Sequence, residues 1–585
     1  MVLSLIAIAL TAGIAYAWVT RGFFSALLHM VCVIAAGAVA FGLWETVALA
    51  ILNNAPGGFF AFAKDAAWGL GLIAPFIVSL AVFRFVSDTV VKVNAQVEDA
   101  FNYVGGGVCG LVSGVISAGI FINAVSFMRM PVALFGHQPV TFATAGNFQT
   151  TSNLLVPVDR LTATFYNHLS QNVLSTSTPL ALYYPDLPTA AGAQRMSDGD
   201  GSNTNSVAPD AVVLAGAFTV GKQSGGPADV LDDFNSPNGP QQVAGLDGNP
   251  VQDPYVVGYV VNFQSGARET FGQIVLSKGQ ARLVSQNAAG ETLTSFPIAV
   301  SSQARAGEDT FGRYRFDTEG THIASVGGAA EAPMAIEFAI PRSHEPVALY
   351  VKNVRLDIDG VSPTSYADAA ARDIDIQTGN LLGGTRAENL DLTNATIAEA
   401  PRTGPPAGLI VGTRLPRSYT LQEGATRGIG INDENQIISG TQAFAPNEAK
   451  NRVTRELAVN EFFVTNDTAI VQITVTGSPN EIPSSVFGAA AVAIDNSQTP
   501  QLVDTTGRVY PAVGYVYEDR DKVEMRYSPS QPLAAMNEAP GLSGTRDDQS
   551  MIMLFRVSTG VEVQHFAIGD TVVTTYDGPV EVRRF

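Results

Sequence analysis

The sequence predicts a multi-domain chain: an N-terminal all-α bundle of four transmembrane helices followed by an all-β region of two immunoglobulin-like sandwiches. Three observations predict it. Apolar runs long enough to cross a hydrocarbon layer of about 30 Å crowd residues 1–130. From about residue 208 the hydropathy pattern instead alternates in short β-branched and aromatic runs between Gly, Asn, Asp and Pro. Two stretches of that second region also resemble each other at one fixed offset.

Charge divides the chain at the same place. The chain carries 34 basic and 53 acidic residues, a net charge of −19. Residues 1–130 balance five basic side chains (Arg21, Lys64, Arg84, Lys92, Arg129) against five acidic ones (Glu45, Asp65, Asp88, Glu98, Asp99). The whole excess therefore falls on the later residues, which argues against a nucleic-acid partner and against the β-rich region lying flat on an anionic bilayer. Only Cys32 and Cys109 occur, both in apolar runs, so the β-rich region holds no disulfide and no thiolate metal site.

Residues 1–19 form the first uncharged run; Ala15-Tyr16-Ala17 resembles a signal-peptidase site, but the basic leading segment of a signal peptide is missing. The second run, about 23–52, follows Arg21-Gly22 and includes Ser25, His29 and Glu45. The third covers about 66–88 and the fourth about 104–128. Four crossings place the N-terminus and the large C-terminal part on one side. The positive-inside rule puts Arg21, Arg84 and Lys92 in the cytoplasm, and hence the β-rich part outside.

In the fourth run, Asn102-x3-Gly106-x3-Gly110-x3-Gly114 lines one helix face with glycine, a surface that lets another backbone approach closely in lipid. His29 is an ionisable residue inside an apolar run. It reads either as a functional polar site or as a neutral imidazole bonded to a neighbouring helix.

Arg21-Gly22-Phe23 at the head of the second helix, with a polar residue (Asn102) ahead of Gly106, Gly110 and Gly114, resembles the colicin V production (CvpA) family over residues 1–130. That resemblance implies a bacterial inner-membrane protein associated with colicin V or toxin production and with envelope maintenance, without an established enzymatic chemistry. Asn102-Tyr103 stands where the family has an Asp-Arg pair, and Ser113 where an Arg is common.

Residues 131–207 form a connector. Val158, Leu161, Phe165, Leu169 and Val173 recur at helical spacing behind Pro157, predicting an amphipathic helix over 157–174 that packs on the membrane module or the first sandwich. Residues from about 187 to 207 read as a flexible linker. Asp198-Gly-Asp200-Gly-Ser202-Asn203 mimics a calcium loop but has Pro209 where the loop needs Glu.

The sandwiches are expected at 208–360 and 408–585, joined by a linker over 361–407. Phe271-Gly-Gln-Ile-Val-Leu with Arg282-Leu283-Val284 parallels Phe487-Gly-Ala-Ala-Ala-Val with Gln501-Leu502-Val503, and Met334–Phe338 parallels Met551–Phe555. Histidines 29, 137, 168, 322, 344 and 565 show no metal-ligand spacing, and neither a nucleophile elbow in the soluble part nor a phosphate loop occurs. Asp357/Asp359, Asp373/Asp375 and Asp547/Asp548 read as turn or surface carboxylates. No catalytic residue, metal or cofactor is assigned. The expectation is a non-enzymatic envelope scaffold, assembling as a homo-oligomer or with a membrane partner through the fourth helix and meeting an unidentified protein or glycan outside. A transporter or channel component, and an envelope enzyme acting on glycans or peptides, are the alternatives.

Overall fold

The computed structural model describes residues 2–54, 62–91, 98–128, 135–143, 146–151, 154–175, 178–196, 206–222, 243–269, 273–303, 311–316, 321–323, 331–383, 390, 396–397, 408–420, 428–444, 458–465, 467–475, 497–543, 546 and 548–583. Four helices in it are long and apolar enough to cross a membrane: α1 (Val2–Val19), α2 (Phe23–Asn54), α3 (Ala67–Val90) and α4 (Asp99–Ser126). Large apolar side chains such as Ile8, Val31, Ile77, Phe85, Val108 and Leu111 point outward from them. In water that would be a liability; in lipid it is the solvated face. At 1.5 Å per residue α2 is about 48 Å long and α4 about 42 Å, so both outrun a hydrocarbon layer of about 30 Å. Their C-terminal ends meet the connector and the β-rich region.

Small residues set the bundle's pairing. α1 lies along α4, and α3 lies along α2. Ala36, Ala40 and Ala48 of α2 are fully buried beside Leu72 of α3 and Ile116, Ile120 and Ala124 of α4, with Trp44 and Trp68 packed at the end nearest the first sandwich.

The connector is more ordered than its composition suggests. Helix α5 (Val158–Gln171) falls within the expected 157–174 and packs on the membrane module. Thr162 of α5 fills the space that a side chain at Gly119 would take, and Tyr166 does the same at Gly37. The Tyr166 hydroxyl donates to the Ile34 carbonyl at 3.1 Å. Residues 187–196, expected to be flexible, instead form helix α6 (Leu187–Met196), with Ala190, Ala191, Ala193 and Arg195 buried. The alanines that suggest a linker are strong helix formers, small enough to pack closely. The calcium-loop mimic at 198–203 lies outside the described residues.

The first sandwich comprises β1 (Val212–Val220), β2 (Pro254–Phe263), β3 (Ala281–Asn287), β4 (Thr292–Ser295), β5 (Ala299–Gln303), β6 (Phe311–Arg315), β7 (Ala332–Pro341), β8 (His344–Val351) and β9 (Val354–Leu356). One layer runs β1-β2-β7-β5-β6 and the other β9-β8-β3-β4. Tyr259, Val261, Ile336 and Phe338 face Leu283, Leu349 and Val351 in a common core. Lettered A, B, C, C′, D, D′, E, F and G in chain order, the layers read A-B-E-D-D′ and G-F-C-C′, an immunoglobulin-type arrangement.

The second module repeats it with β10 (Leu409–Val411), β11 (Thr468–Val475), β12 (Pro500–Asp504), β13 (Val509–Glu518), β14 (Val523–Tyr527), β15 (Ser550–Ser558), β16 (Glu562–Ile568) and β17 (Thr571–Glu581). Its layers run β10-β11-β15-β13-β14 and β17-β16-β12-β13. Here β13 serves both layers, so they form one continuous sheet rather than two. Strands within 414–462, inserted between β10 and β11, extend that sheet beyond β14, and their Ile429, Ile437, Val459 and Phe462 share a core with Val516, Met525 and Tyr527 of β13 and β14.

Local chemistry repeats as well. Asn287 Oδ1 accepts from the backbone N–H groups of Ala289 and Glu291, and Asp504 Oδ1 accepts from those of Thr506 and Arg508. Each turn ends on a glycine at φ +85°, Gly290 and Gly507, a conformation open to glycine. Met334–Phe338 lies on β7 and Met551–Phe555 on β15, the same position in both modules. Of the other repeat landmark, residues 270–272 and 487–492 lie outside the described residues. The modules touch through Gln273 Nε2, which donates to Asp467 at 3.1 Å.

Part of the expected 361–407 linker is docked rather than free. Thr364–Tyr366 pairs in parallel with β1, and helix α7 (Ala369–Gln377) follows, its first turn capped by Asp368 Oδ1 accepting from Ala371 N–H at 2.9 Å. α7 places Arg372 beside Glu337 of β7, at 3.1 Å, while Arg313 of β6 pairs with the same carboxylate at 2.6 Å. All three side chains are buried. Burial alone would raise the Glu337 pKa, yet the two guanidinium groups hold it below the usual carboxylate range.

Candidate functional site

The residues that carry the sequence motifs converge where α1 turns into α2. Gly22, at φ +86°, lets the chain reverse after Val19. The backbone N–H of Phe23 begins α2 without an intrahelical partner. Asn102 of α4 supplies one, its Oδ1 accepting that N–H at 3.2 Å. The Phe23 ring lies over Gly105 and meets Phe101 edge-on at 4.8 Å between centroids. Asn102 therefore caps a neighbouring helix, work that requires a side-chain acceptor but no charge.

Above it the glycine face is occupied by α1 of the same chain. A β-carbon built on Gly106 would lie 3.2 Å from the Trp18 carbonyl oxygen, one on Gly110 would lie 2.9 Å from Ala15 Cα, and one on Gly114 would lie 2.7 Å from the Thr11 carbonyl oxygen. The helices run antiparallel with glycine matched to backbone at every turn. Ser113 is buried in this seam and satisfied internally, donating to the Cys109 carbonyl at 2.8 Å. The glycines thus serve packing inside the chain. An assembly contact through α4 has to use its other face, where Val104, Val108 and Leu111 are exposed.

Because α1 leans on α4 and α3 leans on α2, a groove of about 480 Å³ opens sideways between α1 and α3. Ala9, Leu10, Gly13, Ile14 and Ala17 line one wall and Phe76 and Leu80 the other, with Trp18, His29 and Ser117 at the base. The His29 ring stacks on the Trp18 indole at 4.1 Å and 19°. Guanidinium groups of Arg21 and Arg84 lie 4.9 and 5.1 Å from the same indole, a cation–π cluster. His29 Nδ1 is buried without a hydrogen-bond partner among the described residues, whereas Arg84 and Ser87 lie within reach of the Cys32 thiol. Sequence reading singles out His29 but not this groove, which four separate helices build.

At the opposite end of the bundle the membrane module and the first sandwich share one core. Trp44 packs edge-on against Trp68, Phe127 and Tyr184, and Tyr184 continues to Tyr350 of β8 at 5.2 Å. Arg282 of β3 lies 3.5 Å above the Tyr350 ring, and the Tyr350 hydroxyl donates to the Tyr183 carbonyl at 3.0 Å. Glu45, on the half of α2 nearest the first sandwich, pairs with Arg355 of β9 at 3.1 Å. Burial pushes the Tyr350 phenol up to about 12, so it stays neutral at physiological pH.

Chemistry-bearing groups elsewhere do structural work. Among the described residues no three of His, Cys, Asp and Glu gather as a metal site. His137 and Asp159, 22 positions apart, meet at 3.4 Å with both side chains only 3% exposed, sealed from substrate. Asp373 pairs with Arg372, Asp375 accepts from the Tyr366 hydroxyl, Asp357 accepts from the Asp359 N–H, and Asp548 pairs with Arg546. Residue 547 lies outside the described residues. Comparison of the chain with protein-family models, curated proteins and solved structures finds no match in any of the three.

Proposed function

We propose that the chain is a non-enzymatic envelope scaffold: a four-helix anchor in the inner membrane that holds two sandwiches rigidly on the extracytoplasmic side. The resemblance of Arg21-Gly22-Phe23 and the glycine face to the CvpA family accords with this reading. The observation that carries it is the shared core at the outer end of the bundle. Trp44, Tyr184 and Tyr350, with Arg282 and the Glu45–Arg355 pair, join lipid-borne helices to a β-sandwich as one packed body, where a tethered binding domain would need only a linker. A rigid mount suits a part that braces or positions something at a set height above the bilayer.

Spin labels at Tyr103→Cys, near the inner end of α4, and Ala288→Cys, on the β3–β4 turn, test it in nanodiscs. One narrow distance distribution is expected; a broad one rejects the rigid mount. Ala288→Cys alone should react with a membrane-impermeant thiol reagent in intact cells stripped of the outer membrane, and protection there would reverse the orientation.

A further inference from the structure

We propose that the groove between α1 and α3 is a binding site for one anionic phospholipid of the leaflet opposite the sandwiches, its acyl chain along the groove and its phosphate at the Arg84–Arg21 mouth. From Ala9 to Trp18 the α1 wall runs about 14 Å at 1.5 Å per residue. The groove's walls are apolar from Ala9 through Ala17 and across Phe76 and Leu80, matching an acyl chain.

Apart from the Ser117 hydroxyl along the groove, the polar groups gather at one end. There Arg21 and Arg84 converge on Trp18, and His29 Nδ1 lacks a partner among the described residues. A buried polar group left unsatisfied is costly, and a membrane interior offers little water to relieve it. A phosphate accepts several such bonds and brings the negative charge that two guanidinium groups favour. Arg84 already pairs with Asp88. That carboxylate neutralises part of the local charge, so a monoanionic head suits the site better than a multiply charged one.

Thermal stability of the purified full chain in detergent, titrated with phosphatidylglycerol, with phosphatidylcholine and with inorganic phosphate, tests the assignment, alongside native mass spectrometry of the retained lipid. Phosphatidylglycerol should bind about tenfold more tightly than phosphatidylcholine, and inorganic phosphate should have no effect because it lacks a tail. Gly13→Leu fills the groove without meeting any atom within 4 Å of the new Cβ. It should weaken phosphatidylglycerol binding about tenfold without lowering the lipid-free melting temperature. Arg84→Gln should keep tail binding and lose the preference between the two lipids. Equal binding of both lipids by the native chain, a response to inorganic phosphate alone, or unchanged binding by Gly13→Leu would overturn the proposal. So would a Gly13→Leu particle of lower mass, which would make a second copy the occupant.

Discussion

Gly114→Ala is the most direct test of the α1–α4 seam. The added carbon would stand 2.7 Å from the Thr11 carbonyl oxygen and 3.0 Å from Thr11 Cα, both backbone atoms that no rotamer change can move. Ordinary contact between such atoms lies nearer 3.5 Å, so the helices must part by roughly 0.5–1 Å and loosen the neighbouring contacts at Gly110 and Ala118. Overpacking of this kind costs about 1–3 kcal/mol. Alanine's better helix propensity returns up to about 1 kcal/mol, and the matched control is Gly42→Ala on α2, where no atom lies within 4 Å of the new Cβ. Reversible unfolding in mixed detergent micelles should show Gly42→Ala neutral or stabilising and Gly114→Ala less stable than that control by about 1–3 kcal/mol. Equal stabilities would mean that α1 does not lie on the glycine face.

Glu337→Gln leaves Arg313 and Arg372 buried against a neutral amide and should destabilise the first sandwich by about 3–5 kcal/mol in a denaturant melt; a loss below about 1 kcal/mol would show the triad open to solvent. The same carboxyl titrates lower in the folded state than in the unfolded chain, so its contribution is complete above the ordinary Glu value of 4.5 and fades as pH falls below it. The native melt should therefore be more acid-sensitive than that of the Gln variant. His565, bonded to Thr575 between β16 and β17, has its pKa lowered by burial, so the folded state prefers the neutral ring. Stability from this group is present above the ordinary value of 6.5 and declines as pH drops through and below it; His565→Gln should flatten that segment of the stability–pH curve, and an unchanged slope would point to another group. Trp44→Ala should cost about 3–5 kcal/mol and free the sandwich from the bundle, read as new protease cleavage between them, whereas Arg355→Ala, a partly exposed pair, should cost about 1 kcal/mol or less.

How much of this was legible follows from what periodicity can encode. Apolar length and composition locate the membrane helices, and alternation with a fixed offset locates the repeated strands, because each signal lies within one continuous segment. The glycine face was legible as a face, but Gly106, Gly110 and Gly114 do not say which helix covers them; that depends on the Gly22 reversal bringing α1 back alongside. Residues 187–196 were misread because alanine and glycine suit both a linker and a closely packed helix, and the buried Arg195 was the available clue. Asp368 three residues before Ala371 is a cap signal that could have placed α7 in the expected linker. The groove at Trp18 and His29 had no sequence signal, since α1, α2, α3 and α4 each contribute a part.

The two modules turn the same corner by different means. In the first, Pro297 has no N–H to offer and separates β4 from β5, so the layers are hydrogen-bonded independently. In the second, an irregularity between Ala512 and Gly514 bends β13 without breaking it, and Gly514 has backbone of Arg526 where a side chain would be. Pulled along the chain, the module next to the membrane can shear its layers apart at that break, whereas the distal one has to unzip a single sheet. The repeat thus places the softer copy at the anchor and the stiffer one farther along the chain.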